Sequence, residues 1–157
     1  MHPIATNELH VGFTGPRAGV TSMQKRYIRI SLQKVWNDNP NTTKYFHHGD
    51  CVGADSIAHD LAVAIGYIIV IHPPTDPKYR AFKEGIVLPE KSYIERNHDI
   101  VDNSHFILAA TRTIKEQLRS GTWATIRYAK QKEKLWKIIR PRTLNTGLDI
   151  GSRALIK

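Results

Sequence analysis

Short apolar runs that stop at turns and alternate with helix-patterned stretches constrain this chain more than any other feature. Leu9–Phe13, Tyr45–His48, Tyr67–Ile71, Phe106–Ala110 and Leu135–Ile139 are strand-length and apolar. The third, YIIVI from Tyr67, is a continuous β-branched run, as in strands covered on both faces. Between them lie segments of helical period. Met23, Tyr27, Ile30 and Val35, with Leu32 and Trp36 nearby, form an apolar stripe behind a Thr21 or Ser22 cap. Asn37 to Asn41, with Pro40, stops that helix. Ala54, Ile57, Ala58, Leu61, Ala62 and Ile65 form a second stripe over Gly53–Ile65, closed by Gly66. Ser92 and Glu95 have capping-box spacing ahead of a helix over Tyr93–Val101, and Thr122–Gln131 reads as another helix.

Strands alternating with helices predict a parallel sheet with helices on both faces. The expected fold is α/β, a Rossmann-like three-layer sandwich with a mostly parallel sheet of about five strands. Residues 1–141 are expected to form this domain, and 142–157 a basic C-terminal tail or docking arm. Residues 73–91 and Thr111–Arg119 read as long loops, which in a compact domain are usually functional or mobile.

Charge and composition narrow the function classes. The net charge is +9, and six of those charges come from residues 130–157, so the body is only mildly basic. A basic end of this kind attracts polyanions, although surface charge speaks mainly to solubility and association. No run approaches the ~20 apolar residues of a membrane span. The first ten residues lack a basic stretch followed by an apolar run, so no signal peptide and no membrane partner are expected. Cys51 is the single cysteine, which excludes an intrachain disulfide and fits a cytoplasmic location. No histidine spacing matches a metal-ligand set, and neighbours His47 and His48 are expected to face opposite sides of the sheet. No metal and no cofactor are expected. Cys51, at a predicted helix start, has no His or Asp assigned to activate it.

Three strand ends share one chemistry. GFTGPRAG follows the first strand, HHGDCVGADS the second, and a loop ending RSGTWAT the fourth. Each puts Gly beside Thr, Ser or Asp just before a helix. Glycine permits close backbone approach. A helix N-terminus offers unpaired N–H groups and partial positive charge, which suits phosphate. Arg17 and Arg119 can add charge, and Ser120 and Thr122 can add donors around Gly121. Arg96 can pair with a phosphate, Asn97 can read a ribose or base edge, and Trp123 can stack on a base or simply pack. Asp55 can favour its helix dipole or accept a ribose hydroxyl.

Taken together, GFTGPR, GDCVGADSIA, HPP with Tyr79-Arg80-Ala81, YIERNHDIVDNSHFILAA and SGTWATIRYAK resemble the SLOG superfamily. This Rossmann-like group includes the DprA/SMF proteins and the LOG phosphoribohydrolases, and the likeness is greatest to small stand-alone members of the YspA type. It covers roughly residues 9–141. The resemblance implies a nucleotide site at Gly12, Thr14, Gly15, Gly49, Gly53, Ala54, Asp55, Arg80, Arg96, Asn97, Ser120, Gly121, Thr122 and Thr125. Arg17, Asp50 and Trp123 lie within the same segments and join the candidate set. LOG enzymes carry a PGGxGTxxE motif with a catalytic Glu, and Thr125 stands at that position here. Threonine cannot replace that carboxylate.

The leading expectation is therefore a binding protein without LOG-type catalysis. Its ligand is a nucleotide or nucleotide-derived small molecule, ADP-ribose-like or cyclic, held for sensing or sequestration in phage-related signalling. A nucleotide-processing enzyme using Asp50, Asp55 or Glu95 is the first alternative, and DprA-like single-stranded DNA binding the second. A homo-oligomer is expected from the resemblance.

Overall fold

The computed structural model describes residues 7–142 and 148–151. Seven strands form one sheet in the order β4-β3-β2-β1-β5-β6-β7. They are β1 (Glu8–Thr14), β2 (Thr43–His48), β3 (Ile68–Ile71), β4 (Ile86–Val87), β5 (Phe106–Ala110), β6 (Leu135–Ile139) and β7 (Leu148–Gly151). The first six are parallel, and β7 runs antiparallel to β6. Helices α1 (Ser22–Asp38) and α2 (Ala54–Ile65) cover one face; α3 (Tyr93–Asp102) and α4 (Gly121–Gln131) cover the other. The sheet is thus the expected one, widened by a two-residue edge strand inside the 73–91 loop and by β7.

Capping and burial explain the helix boundaries. Thr21 Oγ1 accepts from Gln24 N, and Gln24 Oε1 accepts from Thr21 N, closing a capping box. Gln24 then donates from Nε2 to the carbonyls of Thr111 and Ile139, tying the start of α1 to the ends of β5 and β6. Along α1, Ile28 and Leu32 are fully buried one turn apart. They join Val11, Phe13, Phe46, Ile71 and Leu108 from the strands and Ala58 and Ala62 from α2. Burying each large side chain contributes roughly 1.5–3 kcal/mol. On the opposite face Ile107, Ala109 and Ile138 meet Val101, Trp123, Ile126 and Ala129.

The order of strands reverses between β1 and β5, both central. In open α/β sheets the crevice forms beyond the carboxyl ends of the strands at such a switch point. The loops after β1, β2 and β5 all open there.

Polar side chains also enter the sheet layers. His47 and His48 do point to opposite faces. His47 Nε2 lies 2.7 Å from His10 Nδ1, and its Nδ1 lies 2.8 Å from His72 Nε2. Three imidazoles thereby form a ladder across β1, β2 and the end of β3, with Glu8 Oε1 3.2 Å from His10 Nε2 at the outer end. On the other face His48 Nδ1 accepts from Asp50 N at 2.9 Å, so its Nε2 proton points to His59 Nδ1. Burial, reinforced by neighbouring histidines, pushes His47 down to about 2 and His48 to about 3. Burial likewise pushes His72 down to about 4.

Candidate functional site

Arg96 anchors the floor of the crevice. It lies on α3, is only 5% exposed, and donates from Nη1 to the carbonyls of Gly49 and His72. Nη2 reaches Cys51 Sγ at 3.7 Å. Among the described residues it forms no ion pair with a carboxylate, and its buried Nε has no hydrogen-bond partner. A buried charge left in this state is costly unless something else neutralises it. The space above Arg96 is a cavity of about 720 Å³.

Five segments wall that cavity. The loop after β1 supplies Thr14, Gly15 and Arg17; the loop after β2 supplies Gly49, Cys51 and Val52, with Asp55 from the first turn of α2. Helix α3 supplies Tyr93, Arg96 and Asn97, and the 73–91 loop supplies Tyr79. The loop after β5 supplies Arg112, Thr113, Gln117 and Arg119, and α4 starts there with Ser120, Gly121, Thr122 and Trp123. Four arginines therefore face one carboxyl group, Asp55.

The first wall is locked by packing of one loop against another. Gly53 has φ 87°, and a Cβ there would run into the carbonyl of Arg17. Ala54 N donates to Pro16 O at 3.1 Å, joining the two loops, and a Cβ on Gly15 would lie 2.5 Å from that of Ala54. Gly49 sits beneath the guanidinium of Arg96, where a Cβ would collide. Asp50, fully buried at φ 58°, accepts from Arg80 Nε at 2.7 Å and from Lys83 N at 2.9 Å. Val52 N donates to Tyr79 O at 2.8 Å, which brings Tyr79 to the cavity. The guanidinium of Arg17 lies 3.9 Å from the Tyr79 ring centroid, a cation–π contact. The 73–91 loop is thus pinned by Asp50 and carries a 3₁₀ turn, Pro77–Tyr79, as well as β4.

The opposite wall is open. Arg112, Arg119 and Gly121 are exposed, and nothing lies within 4 Å of where a Cβ on Gly121 would sit. Ser120 caps α4, its Oγ accepting from Trp123 N at 3.2 Å. The first N–H groups of a helix have no intrahelical acceptor, and here they border the cavity.

Not every candidate reaches the cavity. Thr14, Gly15, Arg17, Gly49, Asp55, Arg96, Asn97, Ser120, Gly121, Thr122 and Trp123 line it, while Gly12, Asp50, Gly53, Ala54, Arg80 and Thr125 do not. Gly12 packs on Ser104 and Ile107 beneath α3, and Ala54 is fully buried in the core. Asp50 and Arg80 satisfy each other. Thr125 turns back on its own helix, donating to Gly121 O at 2.9 Å. Trp123 is 2% exposed, packs on Ile126 and Ile138, and donates from Nε1 to Thr113, so its ring mass lies in the core. Tyr79, Tyr93, Arg112 and Gln117 line the cavity without having been singled out. Arg112 had a readable signal, two residues beyond the end of β5.

Burial and the nearby Asp55 raise the Cys51 thiol, the opposite direction to an activated thiolate. Among the described residues no group of three or more His, Cys, Asp or Glu is arranged to hold a metal. Of the three carboxylates proposed for catalysis, Asp50 is locked to Arg80, and Glu95 is exposed and bonded to the α3 cap Ser92. Asp55 is the one that lines the cavity. Burial lifts it to about 6 against the opposing pull of Arg96.

No family model matches the sequence, and no curated protein does. Solved structures do. A molybdenum cofactor binding protein from the phototrophic bacterium Rippkaea orientalis is 15% identical, with a TM-score of 0.67 over 88% of this chain and 80% of that one. The Moco carrier protein from Chlamydomonas reinhardtii is 15% identical, with a TM-score of 0.60 over 82% and 74%. DNA processing protein A from Streptococcus pneumoniae is 18% identical, with a TM-score of 0.63 over 95% of this chain but 56% of that one. At these identities the likeness concerns the backbone. No helix among the described residues is long and apolar enough to cross a membrane.

Proposed function

We propose, from the Rossmann-like, SLOG-type fold that this chain shares with those structures, that it binds a phosphorylated heterocyclic small molecule of the nucleotide class. The observation that carries this reading is Arg96, a buried guanidinium with no carboxylate partner and an unpartnered Nε, at the floor of a cavity bordered by Arg17, Arg112 and Arg119. An anion in that space gives the guanidinium the direct partner it lacks. The N-terminus of α4 supplies backbone donors for a phosphate group. Tyr79 and Tyr93 supply aromatic surface for a ring, and Asn97 an amide for its edge. Two of the solved neighbours are described as molybdenum cofactor proteins, so a related backbone serves small-molecule binding elsewhere. An ADP-ribose-like or cyclic nucleotide, sensed or sequestered in phage-related signalling, is the specific form of this proposal.

The test is mass spectrometry on the supernatant of denatured, freshly purified protein, compared with a Gly121→Glu variant. Gly121 has open space around its Cβ position, so the variant folds, and it places a carboxylate where phosphate would sit. A nucleotide-type species in the wild type that is absent from the variant is the expected result. Equal retention in both would refute the site.

Asp55 favours a second reading, a nucleotide-cleaving enzyme. A carboxyl held near 6 inside a cleft is suited to general acid–base work. Base release from nucleoside monophosphates that disappears in Asp55→Asn would support it; no turnover over hours would dismiss it.

A further inference from the structure

We propose that Asp55 is a specificity-determining residue that binds the ligand as a neutral acid: it donates its O–H to an anionic oxygen, so that ligand binding takes up a proton from solution. This rests on the binding reading above and adds the ionic form of the complex to it.

The geometry leads there. Asp55 opens α2 and is 6% exposed. Oδ2 accepts from Cys51 N at 3.2 Å and the carboxyl also takes a backbone hydrogen bond from Gly49, while Asp55 lines the cavity. The charged and titratable groups around it are Arg96 from α3, Asp50 and the Cys51 thiol from the loop after β2, and Arg17 from the loop after β1. Arg96 attracts the carboxylate but forms no ion pair with it; its Nη1 is held by the carbonyls of Gly49 and His72. Asp55 thus has a cation nearby without a direct bond to it.

Consider what an arriving oxyanion meets. The arginines attract it, and ionised Asp55 repels it. An oxyanion brought against buried Asp55 meets like-charge repulsion on the inner wall, away from exposed Arg112 and Arg119, and that repulsion is relieved when the carboxyl keeps a proton. The carboxyl already holds its proton more tightly than an ordinary aspartate, with burial as the main cause. A bound anion tightens that hold further. The neutral acid then contributes a short charge-assisted hydrogen bond. A ribose hydroxyl or a metal cation in the same place would prefer ionised Asp55, so proton uptake separates these ligand groups. The favoured group is a phosphate diester or diphosphate oxygen.

The experiment uses the full chain and ADP-ribose, whose diphosphate does not titrate between pH 6 and 8.5. Calorimetry at pH 7.5 in two buffers of different ionisation enthalpy counts the protons taken up. The expected value is close to one, with affinity tightening up to about tenfold per unit fall in pH above the free pKa. Asp55→Asn preserves the acceptor for Cys51 N and supplies a fixed donor. Its affinity should be independent of pH across the same range, at an unchanged melting temperature. Proton release, no uptake in the wild type, or a wild-type pH slope in Asp55→Asn would overturn the proposal while leaving the binding site standing. If neither ADP-ribose nor inorganic pyrophosphate binds the wild type at any pH, the binding reading falls and takes this inference with it.

Discussion

The two walls of the crevice are built on opposite terms. The wall formed by the loops after β1 and β2 is held by its own atoms: Gly53 against Arg17, Gly15 against Ala54, Gly49 against Arg96, Asp50 against Arg80. The wall formed by the loop after β5 presents exposed Arg112 and Arg119 and an open Gly121. Glycine is frequent on both, for different reasons. On the locked wall it lets the chain approach itself; on the open wall it keeps room beside a helix N-terminus. Damage to the first should therefore appear as lost stability, and damage to the second as lost binding.

Acid should break the locked wall with the largest effect. His48 accepts from Asp50 N through its ring, and the backbone carbonyl of His72 holds Arg96, so both residues are tied to the lock. Burial keeps His47, His48 and His72 neutral in the folded chain, at about 2, 3 and 4 against 6.5 unperturbed. The unfolded chain binds more protons below that value. Their contribution is present above pH 6.5 and is lost as pH falls toward the folded values. At pH 5 each should cost about 2 kcal/mol, of the order of 6 in all, comparable with a typical total stability. Urea unfolding between pH 8 and 4.5 measures it; a flat profile would show that the rings are not held neutral.

Gly53→Ala comes next. Its φ of 87° and the carbonyl of Arg17 in the path of a Cβ should cost about 2–4 kcal/mol and weaken ligand binding with it. Denaturant midpoints at unchanged slope would report this directly. Arg112→Ala or Arg119→Ala should reverse the pattern, with stability within about 0.5 kcal/mol of wild type and affinity for ADP-ribose about tenfold or more weaker. If either variant melts early with affinity intact, the division between walls is wrong. Thr125→Val should have the smallest effect, under about 1 kcal/mol on stability and none on binding, because its hydroxyl serves only the carbonyl of Gly121. A large binding defect there would move the ligand toward α4.

How much of this was legible in the sequence follows from the range of each interaction. Strand periodicity and strand-end turns are local, so the alternating α/β order and the convergence of three loops could be read from neighbouring residues. β4 is two residues long and β7 four, too short to carry a pattern of their own. The Asp50–Arg80 pair joins residues thirty positions apart, and nothing local marks them as partners. Arg96 was readable as a cation near the site, but its lack of a carboxylate partner emerges only once α3 is packed over β1. His10, His47 and His72 are far apart along the chain. Register brings them together: His47 sits opposite Gly12, one pleat beyond His10.

That ladder has a directional consequence. Each of its two nitrogen-to-nitrogen bonds can hold a single hydrogen, and each neutral ring carries only one. If the outermost ring gives its hydrogen to Glu8, every ring behind it must point the same way, and His72 Nδ1 is left as a lone pair. Reversing one ring requires reversing all three. The sheet therefore contains a row of linked dipoles, whose common direction is set at its rim and felt beside the carbonyl that supports Arg96.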